Sequence, residues 1–227
     1  MRNIFLPVVA LCLFVTGCST APASNSDPLE PLNRSVFEFN QVVDGIIIRP
    51  VAAGYRAITP QPVRNHVGNV ADNLFEPLSM VNSLLQGDVQ GGMKNFWRFV
   101  INSTVGLAGI NDVASTAGLS ENREDFGQTL AVWGVGSGPY IVLPILGPSN
   151  GRDTVGIVTD WFINPVNYAV DDGWTSAGIA AGQAVVRRER LLDPIDDINA
   201  SSIDPYATFR SIYEQRRAAQ ITNRPAN

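Results

Sequence analysis

Two cysteines, one histidine and little charge set the first limits on this chain of 227 residues. Both cysteines, Cys12 and Cys18, fall near the N-terminus, so the rest of the chain can hold neither a disulfide nor a thiolate metal site. His66 stands in Arg64-Asn65-His66-Val67. Alone it cannot build a histidine-based metal site, and no local spacing supplies the partner that a catalytic base needs, so a surface or cap position is expected. Charged residues make up 16% of the chain and acids outnumber bases by 21 to 16. Without a basic excess to release phosphate counterions, nucleic acid is excluded as a partner. Internal repeats are absent as well, and no alternation of period two extends beyond a few residues, which leaves helices as the expected regular structure.

What is present begins with an address. Met1-Arg2-Asn3 is a short positive segment, Ile4 to Val15 is apolar, and Val15-Thr16-Gly17-Cys18 resembles the lipobox of bacterial lipoproteins. Residues 1–17 are read as a signal peptide and Cys18 as the lipidated residue at the mature N-terminus, carrying palmitate-like acyl chains. An ordinary secretory signal that ends by chance in cysteine, or an uncleaved anchor, is the alternative. Each acyl chain contributes about 0.8 kcal/mol per buried methylene, so several chains on one cysteine hold a protein at a membrane irreversibly. Residues 18–26 are small and polar and read as a tether. By resemblance to the sorting rule of Gram-negative lipoproteins, Ser19 in place of aspartate implies delivery to the outer membrane.

The stretch from Glu124 to Asp153 is apolar between its charged ends, yet broken. It is long enough to enter a bilayer, but Pro139, Pro144, Pro148 and the cluster Gly134, Gly136, Gly138 forbid one continuous transmembrane helix. Irregular apolar backbone survives at membrane depth only when buried in protein or lining a wet cavity. Trp133, Gly134, Gly136, Gly138, Pro139, Tyr140, Leu143 and Pro144 are therefore the candidate channel or lipid-contact residues; burial as core loops is the competing description. Gly134-Val135-Gly136-Ser137-Gly138 fails as a phosphate loop, since no Lys-Ser/Thr follows, and as a nucleophile elbow, since Val135 and Pro139 flank Ser137 at the glycine positions.

Elsewhere the spacing of apolar residues predicts helices. One opens at Asp27-Pro28-Leu29-Glu30 and ends near Arg49-Pro50; another runs from Pro62 to Leu85, broken near Glu76 by Pro77 and closed by Gly87. Asp88 caps a helix carrying Phe96, Trp97 and Val100, on which Arg98 and Asn102 form a polar strip facing solvent or lipid headgroups. Asn111 to Ser115 reads as a brief helical turn in a loop. Ser149 has N-cap chemistry for a helix that stops near Asn164-Pro165. A small-residue helix starts near Asp172, with Gly178 and Gly182 in one row and Ala180 and Ala184 in another, and its charged end Arg187-Arg188-Glu189-Arg190 is expected in water or near headgroups. Asp204-Pro205 opens the last helix, frayed after Ala219. The pairs Asp171-Asp172 and Asp196-Asp197 lie by expected helix ends, where capping accounts for them. The reading is an all-α fold, a single compact domain of short helices interrupted by proline and glycine over residues 27–217, with a tail at 218–227.

Several of these segments resemble one family. Asp27-Pro28-Leu29-Glu30-Pro31-Leu32-Asn33-Arg34, Arg49-Pro50-Val51-Ala52, Arg98-Phe99-Val100-Ile101-Asn102-Ser103, Phe126-Gly127-Gln128-Thr129-Leu130, Gly138-Pro139-Tyr140 and Leu146-Gly147-Pro148-Ser149, in this order, resemble the MlaA (VacJ) outer-membrane lipoproteins. The resemblance covers Asp27 to Tyr213 and weakens between Pro165 and Arg187. It implies a ring-like helical domain seated in the inner leaflet of the outer membrane, with a central amphipathic channel. It further implies that phospholipids mislaid in the outer leaflet pass to a soluble periplasmic carrier of the Mla system, beside a trimeric porin, with no cofactor and no catalytic residue. The competing classes are a phospholipase-like membrane enzyme, which lacks its serine motif here, and a structural envelope lipoprotein, which would not need so apolar a midsection.

Overall fold

The computed structural model describes residues 27–169 and 173–222. The expected signal peptide, Cys18, the expected tether, the Asp171-Asp172 pair and residues 223–227 lie outside the described residues.

Helix α1 (Glu30–Val43) opens three residues after Asp27, whose carboxylate accepts the Leu29 N–H at 3.0 Å and so fixes the turn ahead of it. The chain does not stop at Arg49-Pro50 as the sequence suggests. It widens into a π turn at Asp44–Ile48, where the Arg49 N–H donates to the Asp44 carbonyl, and continues as α2 (Arg49–Ile58). Proline lacks an N–H and its ring crowds the carbonyl one turn back, and a wider turn is one way a helix carries it without ending.

Helices α3 (Gln61–Asn73) and α4 (Glu76–Leu85) are separated at Leu74-Phe75, with Pro77 in the first turn of α4 where its missing N–H is harmless. Gly87, at φ +80°, turns the chain, and Asp88 caps α5 (Val89–Thr104) by accepting the Gly91 N–H at 2.8 Å. Asp112 caps the short α6 (Val113–Thr116), and Asp125 caps α7 (Phe126–Val132) through the Gln128 N–H at 2.9 Å.

Two strands follow that the sequence did not announce. β1 (Tyr140–Leu143) and β2 (Gly147–Asn150) pair antiparallel, Tyr140 opposite Asn150 and Leu143 opposite Gly147. Four residues per strand are too few for a period-two signal, although Tyr140 and Val142 do face inward. The cap of α8 (Gly151–Ile163) is Asn150, which accepts the Asp153 N–H at 2.8 Å; Ser149 is buried one residue earlier and meets the Thr154 hydroxyl.

The chain ends with α9 (Val166–Ala169), α10 (Gly173–Arg190), α11 (Leu192–Ser201) and α12 (Pro205–Thr222). Helix α11 was not expected, and it moves Asp196 from a cap into mid-helix, where it pairs with Arg49 at 2.8 Å. The last helix persists three residues beyond Ala219. Among the described residues the apolar core is small. Tyr140, Val142 and Tyr206 pack with Val36, Phe37 and Tyr213, the Tyr206 ring edge-on to Phe37 at 5.8 Å.

Candidate lipid-facing surface and polar interior

Eight hydrophobic side chains are buried among the described residues, against nineteen polar or charged ones. A water-soluble domain shows the reverse. The buried polar groups form a few knots, each of which joins separate elements.

The first ties α4, α5 and the α6 turn. Arg98, 3% exposed, donates to Glu76 at 2.6 Å and to the Ser115 hydroxyl at 3.0 Å, with Asp112 alongside. Asn102 donates to Asp112 at 3.0 Å and accepts the Ala114 N–H at 2.9 Å. Neither residue reaches solvent or a headgroup, which corrects the expected polar strip: a guanidinium with a carboxylate waiting one helix away turns inward to it. A cavity of about 30 Å³ lies beside this knot, room for a water or two and too small for an acyl chain.

A second knot holds α7 between α4 and α8. The Thr129 hydroxyl donates to Asn82 at 2.9 Å, Asn82 donates to Asp160 at 3.0 Å, and both oxygens of Asp160 accept the Phe126 N–H at 3.1 Å. Burial pushes the Asp160 carboxyl up to about 6, against the pull of these two donors. Here α7 and α8 come so close that a Cβ on Gly156 would collide with the backbone of Gly127. The Phe126-Gly127-Gln128-Thr129-Leu130 segment is thus a packing motif.

The third knot docks α12. Arg217 bonds Asp153 at 2.6 Å and Asp125 at 2.6 Å, and the Tyr213 hydroxyl donates to Asp153 at 2.5 Å. A fourth fixes the end of α10: Arg188 forks onto Asp44 at 2.7 and 2.8 Å, Glu189 meets Arg56 at 2.9 Å, and Arg190 meets Asp72 at 2.9 Å. Arg188 and Glu189 are buried, so this charged end is a clamp rather than the water-facing terminus expected.

Helix α1 supplies two asparagines, two turns apart, that grip the hairpin. Asn33 donates to the Tyr140 carbonyl and accepts the Val142 N–H, both at 2.9 Å; Asn40 donates to the Leu143 carbonyl at 2.9 Å and accepts the Ile145 N–H at 2.7 Å. Sequence reasoning assigned neither a role, though amides seven residues apart, two turns along one helix face, were the available signal. Tyr140 itself is buried in the aromatic cluster, 5.9 Å from the Tyr213 ring, and is removed from the lipid-contact candidates.

The remaining candidates lie outside. The chain from Trp133 to Pro139 is exposed throughout, as is the hairpin tip Pro144-Ile145-Leu146, while Leu143 is half-buried. Trp133 donates its indole N–H to the Leu85 carbonyl at 3.0 Å and stands edge-on to Phe126. The loop is pinned where the Arg152 N–H donates to the Ser137 carbonyl and the Gly151 N–H to that of Pro139. His66 lies at the surface, Nδ1 2.9 Å from the Ile110 carbonyl. The Gly178–Gly182 row meets no neighbouring atoms.

Large apolar side chains are exposed on α1 to α5 and again on α7, α8 and α12. Exposed apolar side chains on so many elements go beyond the scattered single residues that a soluble monomer shows. Among the described residues no helix is long and apolar enough to cross a membrane, and no group of metal-binding side chains converges.

Fold and site together define a helical protein with a hydrogen-bonded polar interior and an apolar exterior, the partition expected of a chain built against lipid. Residues 25–220 match the MlaA lipoprotein family profile, and the chain belongs to that family. It is 42% identical over 196 residues to an uncharacterized protein of Rickettsia typhi, covering 86% of this chain and 78% of that one. To the intermembrane phospholipid transport system lipoprotein MlaA of Escherichia coli K12 it is 40% identical over 225 residues, 93% of this chain and 87% of the other. A solved chain from work on the structural basis for maintenance of bacterial outer membrane lipid asymmetry superposes with a TM-score of 0.75 at 40% identity, covering 87% of this chain and all of that one.

Proposed function

We propose that this protein is an outer-membrane lipoprotein of intermembrane phospholipid transport: it takes phospholipids that stray into the outer leaflet and passes them to a soluble periplasmic carrier, keeping the leaflets distinct. The observation that carries the reading is the reversed partition, apolar side chains outward and polar knots inward, in a member of a transport family. Cys18 holds the acyl anchor, and the domain sits in the periplasmic leaflet as a ring around a channel. Trp133, Gly134, Gly136, Gly138, Pro139, Leu143 and Pro144 are the proposed lipid-contact residues, since the loop from Trp133 to Pro139 and the hairpin tip at Pro144 are exposed while Tyr140 and Val142 between them hold the segment to the interior. Transfer makes and breaks no covalent bond, so no catalytic residue is assigned. A trimeric porin is the proposed neighbour in the membrane.

The test is the amount of outer-leaflet phospholipid that an impermeant phospholipase hydrolyses when added to intact cells. Cells lacking the protein should release more product than the parent, and the gene in trans should restore the parental level. An unchanged level would overturn the reading.

A further inference from the structure

We infer that the tryptophans of this chain sit at two depths in the leaflet, Trp133 among the acyl chains and Trp97 and Trp161 at the headgroup boundary. The inference rests on the leaflet seating proposed above. All four tryptophans of the chain are exposed, Trp97 by 49%, Trp133 by 54%, Trp161 by 67% and Trp174 by 87%. A lipid leaflet is the occupant of this surface rather than a protein, because the exposed apolar side chains come from most helices instead of one face.

An indole makes two demands: its ring favours an apolar setting and its N–H needs an acceptor. Both are met at the membrane boundary, which is why tryptophan collects there. Trp133 is free of the second demand. Its N–H already donates to the Leu85 carbonyl, its ring rests on Phe126, and its neighbours Leu84, Leu85, Val132 and Val135 are exposed apolar side chains. Nothing in this group requires water.

Trp97 and Trp161 have no protein acceptor for their indole N–H among the described residues, and each has an exposed aromatic neighbour on one side and a polar residue within about a turn or two. Trp97 stands edge-on to Phe96 and one turn from Lys94, the sole lysine of the chain, and lysine beside tryptophan is a boundary pairing. Trp161 lies near the end of α8, one turn beyond the exposed Ile157 and Val158. After it come Asn164 and Asn167, the Asn167 amide donating to the Trp161 carbonyl at 2.6 Å, and Tyr168, whose hydroxyl donates to the Phe162 carbonyl. Along α8 the exposed apolar run thus ends at Trp161 and Phe162, whose rings stand edge-on at 4.8 Å, with Asn164 and Asn167 following.

The experiment is depth-resolved fluorescence quenching of the full lipidated chain in phosphatidylcholine vesicles with bromine on the acyl chains, either near the headgroup or near the mid-chain. Trp133 is read in a variant with Trp97→Phe, Trp161→Phe and Trp174→Phe, all exposed positions, with far-ultraviolet circular dichroism as the check on folding. Trp97 and Trp161 are read as the difference between wild type and each single Trp→Phe variant, which leaves the Trp133–Leu85 bond intact. Trp133 should be quenched at least twofold more by mid-chain bromine, and the other two by headgroup-proximal bromine. Equal depth for all three, or Trp133 shallowest, would overturn the depth assignment while leaving the seating in lipid. No quenching of any of them by either lipid would overturn both.

Discussion

Gly134 and Gly138 have φ angles of +88° and +68°, whereas Gly136 has no positive φ and open space where a Cβ would go. The sequence presents these three glycines as equals; only the backbone separates them. A β-branched residue at Gly134 or Gly138 should lower stability by about 1–3 kcal/mol, while Gly136→Ala should stay within about 0.5 kcal/mol of the parent, as measured by thermal unfolding in detergent. Ser137→Ala should leave phospholipid transport in cells intact, since only the Ser137 carbonyl is engaged. Asp160 gives a second prediction at this scale. Its folded carboxyl titrates near 6 because of burial, above the ordinary aspartate value of about 3.9. The folded state therefore holds this proton more tightly than the unfolded state. The stability it contributes is complete below pH 4 and lost as pH rises through 6. Asp160→Asn lacks the charge that must be buried at neutral pH, and it retains an oxygen for the Phe126 N–H. Its melting temperature should rise relative to the parent as pH goes from 4 to 7; a constant difference over that range would show that Asp160 does not titrate there.

Helices are held together here by ion pairs where a soluble domain would use leucines. Breaking one side of the Arg98–Glu76 pair leaves a buried charge without its partner, so Arg98→Met and Glu76→Gln should each cost about 3–5 kcal/mol. Arg98→Met combined with Glu76→Leu should cost clearly less than the sum of the two single apolar substitutions, because no charge then remains buried; additive losses in a double-mutant cycle would contradict the coupling. The same inversion explains what was legible in the sequence. Apolar spacing of three and four located α1, α3, α4, α5, α8, α10 and α12 but not α2, α7 or α11, and Pro77 marked the break before α4 and Asp88 the cap of α5, because these depend on local backbone chemistry. Spacing cannot say which way an apolar face points. Arg98 and Arg188 therefore read as surface residues although both are buried. The hairpin was invisible for a related reason: its first strand and tip are held by side-chain hydrogen bonds from Asn33 and Asn40, more than a hundred residues away.

For the whole molecule, the question is whether the proposed anchor at Cys18 or the apolar surface would hold the protein at the membrane. Cys18 alone would allow a domain that hangs from its tether in water, and a lipidated soluble domain should be released once the acyl chains are gone. The exposed apolar side chains on α1 to α5, α7 and α8 argue otherwise. At about 25 cal/mol per Å² of apolar surface removed from water, even a few hundred Å² of contact contributes on the order of 10 kcal/mol before the costs of binding. That is comparable to one acyl chain at about 0.8 kcal/mol per methylene. A chain beginning at Ser19, exported behind an ordinary cleavable secretory leader, should therefore fractionate with membranes, resist washing with high salt or carbonate, and need detergent for extraction. Salt would strip a domain held by charge alone, since such contacts are screened within about 10 Å at 0.1 M. Recovery of the unlipidated domain as a soluble monomer in the periplasmic fraction would mean that the apolar exterior does not face lipid, and the seating in the leaflet would have to be abandoned along with it.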